Sequence, residues 1–328
     1  MALLLTREDI QALLTMEEAI QAMEDAFRQH ALGQVTLPLR TSIAVPEHRG
    51  LDLIMPAYVA GEGGGLGLKV VSVYPDNPAK HNLPTILATV LLQDPRTGAL
   101  LAILDGTYLT AMRTGAAGGV AARYLARPDA RRAGLFGAGV QARTQLLALC
   151  HVRPIEEAWV YDPILESASR FAEEMGERLG IPVRVARDPR EAVEGMDVVV
   201  TATTARTPVF PGTWVAPGTH VTGVGSHTPD TRELDGILIQ RARVVVDERR
   251  AALSEAGDLI LPLKEGLISE EHIAAELGEV IAGLRPGRET PEQVTVFKSV
   301  GLAFQDIAAA TRVYELARAR GAGMEVPL

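Results

Sequence analysis

The segment Gly137-Ala138-Gly139-Val140-Gln141-Ala142 constrains this chain more than any other. It follows a short apolar run, Ala133 to Phe136, and opens a stretch of helical period, Val140 to Cys150. A glycine at a strand end permits the tight turn into a helix, and a second one lets phosphates approach the backbone. The helix start then aims its free amides at negative charge. About 20 residues past Ala142, Asp162 closes another apolar run, Ala158 to Tyr161, where a carboxylate can take the ribose hydroxyls of an adenosine. Each piece alone has a plain reading: Gly-x-Gly is also a tight turn, and Asp before Pro163 is also a common turn. The strand, turn, helix and acid in register favour a dinucleotide. No arginine adjoins Asp162-Pro163, and the carboxylate would repel a 2'-phosphate, so NAD is expected over NADP.

The pattern around that segment agrees. Beyond Pro128, helices are expected at Ser167 to Leu179 and Pro189 to Gly195. Strands are expected at Val183 to Ala186, Val198 to Thr201, His220 to Val224 and Val244 to Asp247. Alternating near-continuous apolar strands with helices predicts a parallel sheet covered on both faces. Ligands sit at the carboxyl ends of such strands, here Thr201 to Thr204 and Val224 to His227. A helix Ser269 to Ile281, a strand Val294 to Phe297 and an amphipathic helix Leu302 to Arg320 are expected to follow.

The N-terminal part reads differently. It is expected to open with helices: Thr6-Arg7-Glu8-Asp9 is a start signal, and Thr15-Met16-Glu17-Glu18 has the spacing of a capping box. Strands are then predicted at Ile43 to Val45, Leu51 to Tyr58, Leu66 to Val73, Thr85 to Leu92 and Ala99 to Leu104. Short turns and a longer loop with Pro75, Pro78 and Pro84 separate them. Short connections imply a largely antiparallel sheet. An Ala/Gly-rich helix, Leu109 to Leu125, closes this part.

Composition excludes several functions. A formal net charge of -9 opposes nucleic acid, whose phosphates need a positive field. The seven histidines fall in no metal-binding spacing, and one cysteine, Cys150, makes no cluster with them. No metal is expected. No Gly-x-Ser-x-Gly elbow stands in the sequence, and Gly63 to Gly65 lack the Lys and Ser of a phosphate loop. The opening residues lack a charged region and enough apolar length for a signal peptide, and no apolar run suits a membrane helix. A lone cysteine suits a reducing compartment, so a cytoplasmic protein without membrane contact is expected.

Three cations stand among apolar or tight neighbours: Arg40 after Leu39, Lys69 in Leu68-Lys69-Val70-Val71, and Arg113 after Ala111-Met112. A charge in such surroundings is costly unless paired. The carboxylate of an amino acid would pair with them. On the residues alone, a structural ion pair or an exposed edge position is the commoner explanation for each.

Met55-Pro56-Ala57-Tyr58, the strand around Lys69, Leu109-Thr110-Ala111-Met112-Arg113-Thr114-Gly115-Ala116, the 137–142 turn and Thr295-Val296-Phe297-Lys298-Ser299-Val300-Gly301 together resemble the ornithine cyclodeaminase/mu-crystallin family. The resemblance runs nearly end to end. It implies an α/β chain in which a Rossmann dinucleotide-binding domain, residues 115–302, is inserted in an α+β substrate-binding and dimerisation domain, residues 1–114 plus 303–328. It implies that Arg40, Lys69 and Arg113 hold a substrate carboxylate, with Val300 near the substrate. The cofactor, NAD, would meet Thr85, Arg113, Gly137, Gly139, Val140, Gln141, Asp162, Thr203, Val224, Gly225 and Ser299. A homodimer is implied as well.

In one respect the sequence departs from the cyclodeaminases. They carry an aspartate where His227 stands, and an acid just before the Met-Pro step, where Leu53 stands. The expected activity is therefore hydride transfer between NAD and the alpha carbon of a small amino acid or cyclic imino acid, as in alanine dehydrogenases and ketimine reductases. His227, whose imidazole titrates near neutral pH, and Lys69 are the expected catalytic groups. The alternatives are a cyclodeaminase turning ornithine into proline and ammonia, and a non-enzymatic binder of mu-crystallin type.

Overall fold

A computed structural model of the chain describes residues 1–327. They divide into two units, one of Met1–Arg113 with the chain from Leu302 onward, the other of Thr114–Gly301.

The first residues correct the expectation of an all-helical start. Strand β1 (Ala2–Leu5) comes first, with three of its four residues buried. Four apolar residues are too few for a helix but enough for a strand in a sheet. Thr6 then caps α1 (Arg7–Leu13) in a full capping box with Asp9. Thr15 accepts the Glu18 amide at 3.2 Å and starts α2 (Met16–Ala31). The chain continues through β2 (Val35–Thr36), β3 (Thr41–Val45), β4 (Gly50–Val59) and β5 (Gly65–Val73). The proline-rich loop holds a short helix, α3 (Asn77–His81), with Pro78 in its first turn, where a missing amide costs nothing. β6 (Ile86–Gln93), β7 (Leu100–Asp105) and α4 (Gly106–Leu125) follow. The sheet runs β1-β7-β6-β5-β4-β2 with β3 also on β4. It is antiparallel except where β1 lies parallel to β7.

The second unit is the expected parallel sheet. Its elements are β8 (Arg132–Phe136), α5 (Val140–Val152), β9 (Glu157–Tyr161), α6 (Leu165–Leu179), β10 (Val183–Val185), β11 (Val198–Thr201), β12 (His220–Gly223), α7 (Gly236–Arg241), β13 (Arg243–Val246), α8 (Arg249–Glu255), α9 (Gly257–Lys264), β14 (Ile273–Glu276), α10 (Leu277–Ile281) and β15 (Thr295–Lys298). The strand order β10-β9-β8-β11-β12-β15-β13-β14 reverses direction between β8 and β11. Ligands bind at such a switch point. The expected helix Ser269 to Ile281 is corrected to a 3-10 turn, then β14, then α10. Ile273 and Ala275 are buried and alternate with half-buried neighbours, so pairing with β13 overrides the helical propensity of Ala274 and Glu276.

The chain then returns to the first unit as α11 (Ala303–Arg320) and β16 (Met324–Val326), which pairs with β1. Phe304 of α11 meets Phe27 of α2 edge to face, centroids 5.3 Å apart. Glycines let α11 lie close on β5: a Cβ at Gly65 would stand 2.4 Å from Thr311 Oγ1, and one at Gly67 3.0 Å from Ile307 Cδ1. The next inward position along β5 is Lys69, at the start of α11.

Candidate functional site

Lys69 pairs in register with Met55 and Val90, both buried, and is itself only 1% exposed. An isolated ammonium could not stay there. Its Nζ lies 2.8 Å from Asp306 Oδ2 and donates to Thr110 Oγ1 at 3.4 Å. Arg113, on α4, reaches the other oxygen of the same carboxylate, Nε to Oδ1 at 2.9 Å, and its Nη1 donates to Gln305 Oε1 at 2.6 Å. Asp306 belongs to the first turn of α11, where the helix dipole favours an anion. Two cations therefore share one carboxylate. Burial pushes the Lys69 pKa down to about 8; Asp306 opposes this, and the charges of Arg113 and Arg40 add to it. Arg40, half-buried just before β3, is thus electrically part of the cluster. The structure brings Lys69 and Arg113 together on Asp306 in the first unit, and the charge of Arg40 reaches Lys69 there. Thr85 belongs to this unit too, its carbonyl accepting the Tyr74 amide at 2.8 Å.

In the second unit, the turn after β8 has the shape of a phosphate cradle. Gly137 takes φ +90°, and a Cβ there would stand 2.6 Å from the Ala202 carbonyl oxygen. Gly139 is the reverse case: a Cβ would meet nothing within 4 Å. It is also the N-cap of α5 and gives no side-chain bond to that helix start. Uncapped amides beside open space fit a pyrophosphate. Val140 is 64% exposed there, and Gln141 buries its Oε1 without a hydrogen-bond partner. Asp162, past the end of β9, accepts the Ala138 amide at 2.9 Å with one oxygen and the Ile164 amide at 2.9 Å with the other. Each oxygen keeps a lone pair for a ribose hydroxyl. The cation nearest the turn, Arg143, is committed to the Gly139 carbonyl at 3.2 Å and to Glu174 at 2.8 Å.

The remaining expected residues stand at carboxyl ends of strands. Val224 donates its amide to Thr201 at 3.0 Å, while Thr203 and Gly225 bond to Glu233. The Ser299 hydroxyl and the Val300 and Gly301 amides all point at Asp247 Oδ2, at 3.0, 2.7 and 2.8 Å. Burial raises the proton affinity of Asp247, and these donors oppose it. His227 is exposed, its ring Nδ1 3.1 Å from the Gly225 carbonyl.

Sequence reasoning passed over Asp306, Gln305, Glu233, Asp247 and the fully buried Asp258–Lys298 pair. The signal that marked Lys69, a charge among apolar neighbours, is present for Asp306 in Phe304-Gln305-Asp306-Ile307 and for Asp247 after Val244-Val245-Val246.

Comparison with known proteins agrees with this geometry. The profile of the ornithine cyclodeaminase/mu-crystallin family matches residues 1–321. The structure of Thermococcus litoralis Δ1-pyrroline-2-carboxylate reductase in complex with NADH and L-proline superposes with a TM-score of 0.95 at 50% identity, over 99% of this chain and 100% of that one. Alanine dehydrogenase of Archaeoglobus fulgidus is 41% identical over 324 residues, 99% of this chain and 98% of that protein. Δ1-pyrroline-2-carboxylate reductase of Bacillus cereus is 40% identical over 325 residues, 99% of each. The chain belongs to the ornithine cyclodeaminase/mu-crystallin family.

Proposed function

We infer that this protein is an NAD-dependent oxidoreductase of amino or imino acids, and we propose that it reduces a cyclic imino acid, Δ1-pyrroline-2-carboxylate, to L-proline. The observation that carries the reading is the shared carboxylate of Asp306: two buried cations against one acid leave a positive charge that a small carboxylate would offset. The likeness to the pyrroline-carboxylate reductases supports the ring-shaped substrate. The uncapped start of α5, the open space at Gly139 and the carboxylate of Asp162 support NAD.

When bound, NADH would supply the hydride for the carbon of the C=N bond, and the protein would supply one proton to its nitrogen. Arg40, Lys69 and Arg113 would hold the substrate carboxylate. Lys69, whose proton burial has loosened, delivers it to the nitrogen. His227 is the second group offered for proton transfer; its exposure makes it the weaker one. The residues of the second unit that would hold the cofactor are Gly137, Gly139, Val140, Gln141, Asp162, Thr203, Val224, Gly225 and Ser299.

Purified protein should oxidise NADH with pyrroline-2-carboxylate and form proline in equal amount. Oxidation only with pyruvate plus ammonia would make it an alanine dehydrogenase, the reading favoured by the Archaeoglobus relative. Ammonia release from ornithine without net change in NADH would sink both. Leu53 and His227, where cyclodeaminases carry acids, argue against that outcome.

We also propose a cytoplasmic homodimer. Among the described residues no helix is long and apolar enough to cross a membrane. The face of the first sheet turned away from α11 leaves Ile43, Tyr58, Val70 and Leu87 36–50% exposed. Apolar residues gathered on one open sheet face favour a partner copy. Val70→Asp should halve the mass seen by light scattering; an unchanged mass would place the dimer contact elsewhere.

A further inference from the structure

Glu233 is fully buried, yet nothing in the reading above uses it. Its carboxylate collects four donors. Oε1 takes the Thr203 amide and hydroxyl, both at 2.7 Å, and Oε2 takes the Thr201 hydroxyl at 3.0 Å and the Gly225 amide at 2.6 Å. Thr201 ends β11, and Gly225 lies just beyond the end of β12. One side chain therefore ties two neighbouring strand ends together. The approach is close enough to demand glycine, since a Cβ at Gly225 would stand 2.5 Å from Glu233 Oε1.

Glu233 is held in turn. Its own amide and that of Leu234 donate to Asp258 Oδ1 at 2.7 and 2.9 Å. Asp258 Oδ2 pairs with Lys298 Nζ at 2.8 Å, both side chains 0% exposed, and Lys298 is the last residue of β15. The network thus joins β11, β12 and β15, three consecutive strands of the sheet, at their carboxyl ends. Burying these charges is expensive, and apolar packing of similar volume would hold strand ends at lower cost. The expense is understandable where strand ends must keep one shape for a ligand. Burial raises the Glu233 pKa, and the charge of Lys298 opposes it.

The location gives the ligand. Asp162 and the 137–142 turn stand over β9 and β8, on the adenosine side of the switch point. β11 and β12 lie on the other side, under the other half of a dinucleotide. We propose that Glu233 is a positioning residue for the nicotinamide half of NAD(H). It fixes the backbone at Thr203 and Gly225 against which that half rests, and acts through them. The inference rests on the NAD reading above.

Calorimetry with NADH and with ADP-ribose, which lacks the nicotinamide, tests it. Wild-type protein should bind both. Glu233→Gln keeps the size but turns an amide toward donors; NADH affinity should fall about tenfold, with ADP-ribose held within about twofold, as for one misfit set of buried hydrogen bonds. Thr201→Val removes a single buried donor without altering shape and should show the same selectivity, more weakly. It carries the test should Glu233→Gln fail to fold. Equal weakening of both ligands, or of neither, in a folded variant overturns the proposal. Wild-type protein that binds neither ligand would instead end the NAD reading, and this inference with it.

Discussion

Lys69 Nζ and Asp306 Oδ2 lie 2.8 Å apart with side chains 2% and 0% exposed, and the same carboxylate also holds Arg113 at 2.9 Å. Neither cation could stay charged at that depth without it. Asp306 thus lets the first unit store positive charge before any substrate arrives.

That dependence can be measured. Asp306→Asn leaves two buried cations uncompensated and should cost ~3–5 kcal/mol of stability. Lys69→Met leaves Arg113 still paired, so it should unfold at a higher temperature than Asp306→Asn while losing capture of the imino acid. Melting curves of the two variants decide the point. The reverse order would mean that Asp306 is not what compensates the pair.

The titration of Lys69 gives a pH signature with two opposite signs. Its folded pKa is about 8 against 10.5 ordinarily. Activity should fall as pH rises through about 8, because the neutral amine neither attracts a carboxylate nor gives a proton. For stability, the unfolded chain binds this proton more tightly, so unfolded protein holds more protons between about 8 and 10.5. The Lys69 contribution to stability therefore improves with rising pH across that window. A kcat/KM profile falling above about 8, with the Lys69 contribution to the melting temperature rising over the same window, is the expected pair of results. A flat profile to pH 10 would remove Lys69 from proton transfer.

His227 provides the contrast. An exposed imidazole bonded to a carbonyl two residues back is poorly shielded for proton delivery. His227→Ala should lower kcat less than about tenfold, below the ~10²–10⁴ of a general acid. A loss inside that range would move the acid from Lys69 to His227.

The contrast also shows what the sequence makes legible. The 137–142 turn, its strand and its helix are local, each signalled within a few residues, and Val198–Thr201 has the bounds that its apolar run predicts. The pairing of Arg113 with Asp306 spans 193 residues, and no spacing rule carries a side chain that far. Glu233 and Asp258 were missed for the same reason: they lie in loops and short helices that strand periodicity does not mark. β14 was missed because Ala274 and Glu276 favour helix locally, and only the neighbouring strand decides otherwise.

We propose that Asp162 sets the choice of dinucleotide. Its two oxygens already anchor the Ala138 and Ile164 amides, so the charge is fixed where an adenosine ribose would lie. Arg143, spent on Glu174 and the turn carbonyls, is not offered to a 2'-phosphate. NADH should bind more tightly than NADPH, and Asp162→Ser should narrow the difference. Equal affinities in wild-type protein would overturn the assignment.

The two glycines of the turn should separate folding from cofactor binding. At Gly137, φ is +90° and a Cβ would come within 2.6 Å of the Ala202 carbonyl oxygen. Gly137→Ala therefore strains the backbone and should lower stability by ~1–3 kcal/mol even without cofactor. Gly139 has φ -85° and ψ -173°, a conformation open to any residue, with nothing within 4 Å of a new methyl group. Gly139→Ala should thus leave the melting temperature of the cofactor-free protein unchanged. Its methyl group would occupy the space over the start of α5 where a pyrophosphate must approach the amides, so NADH affinity should fall. Melting curves without NADH and calorimetry with it separate the two effects. A Gly139→Ala protein that melts normally and binds NADH as tightly as wild type would show that the pyrophosphate lies elsewhere.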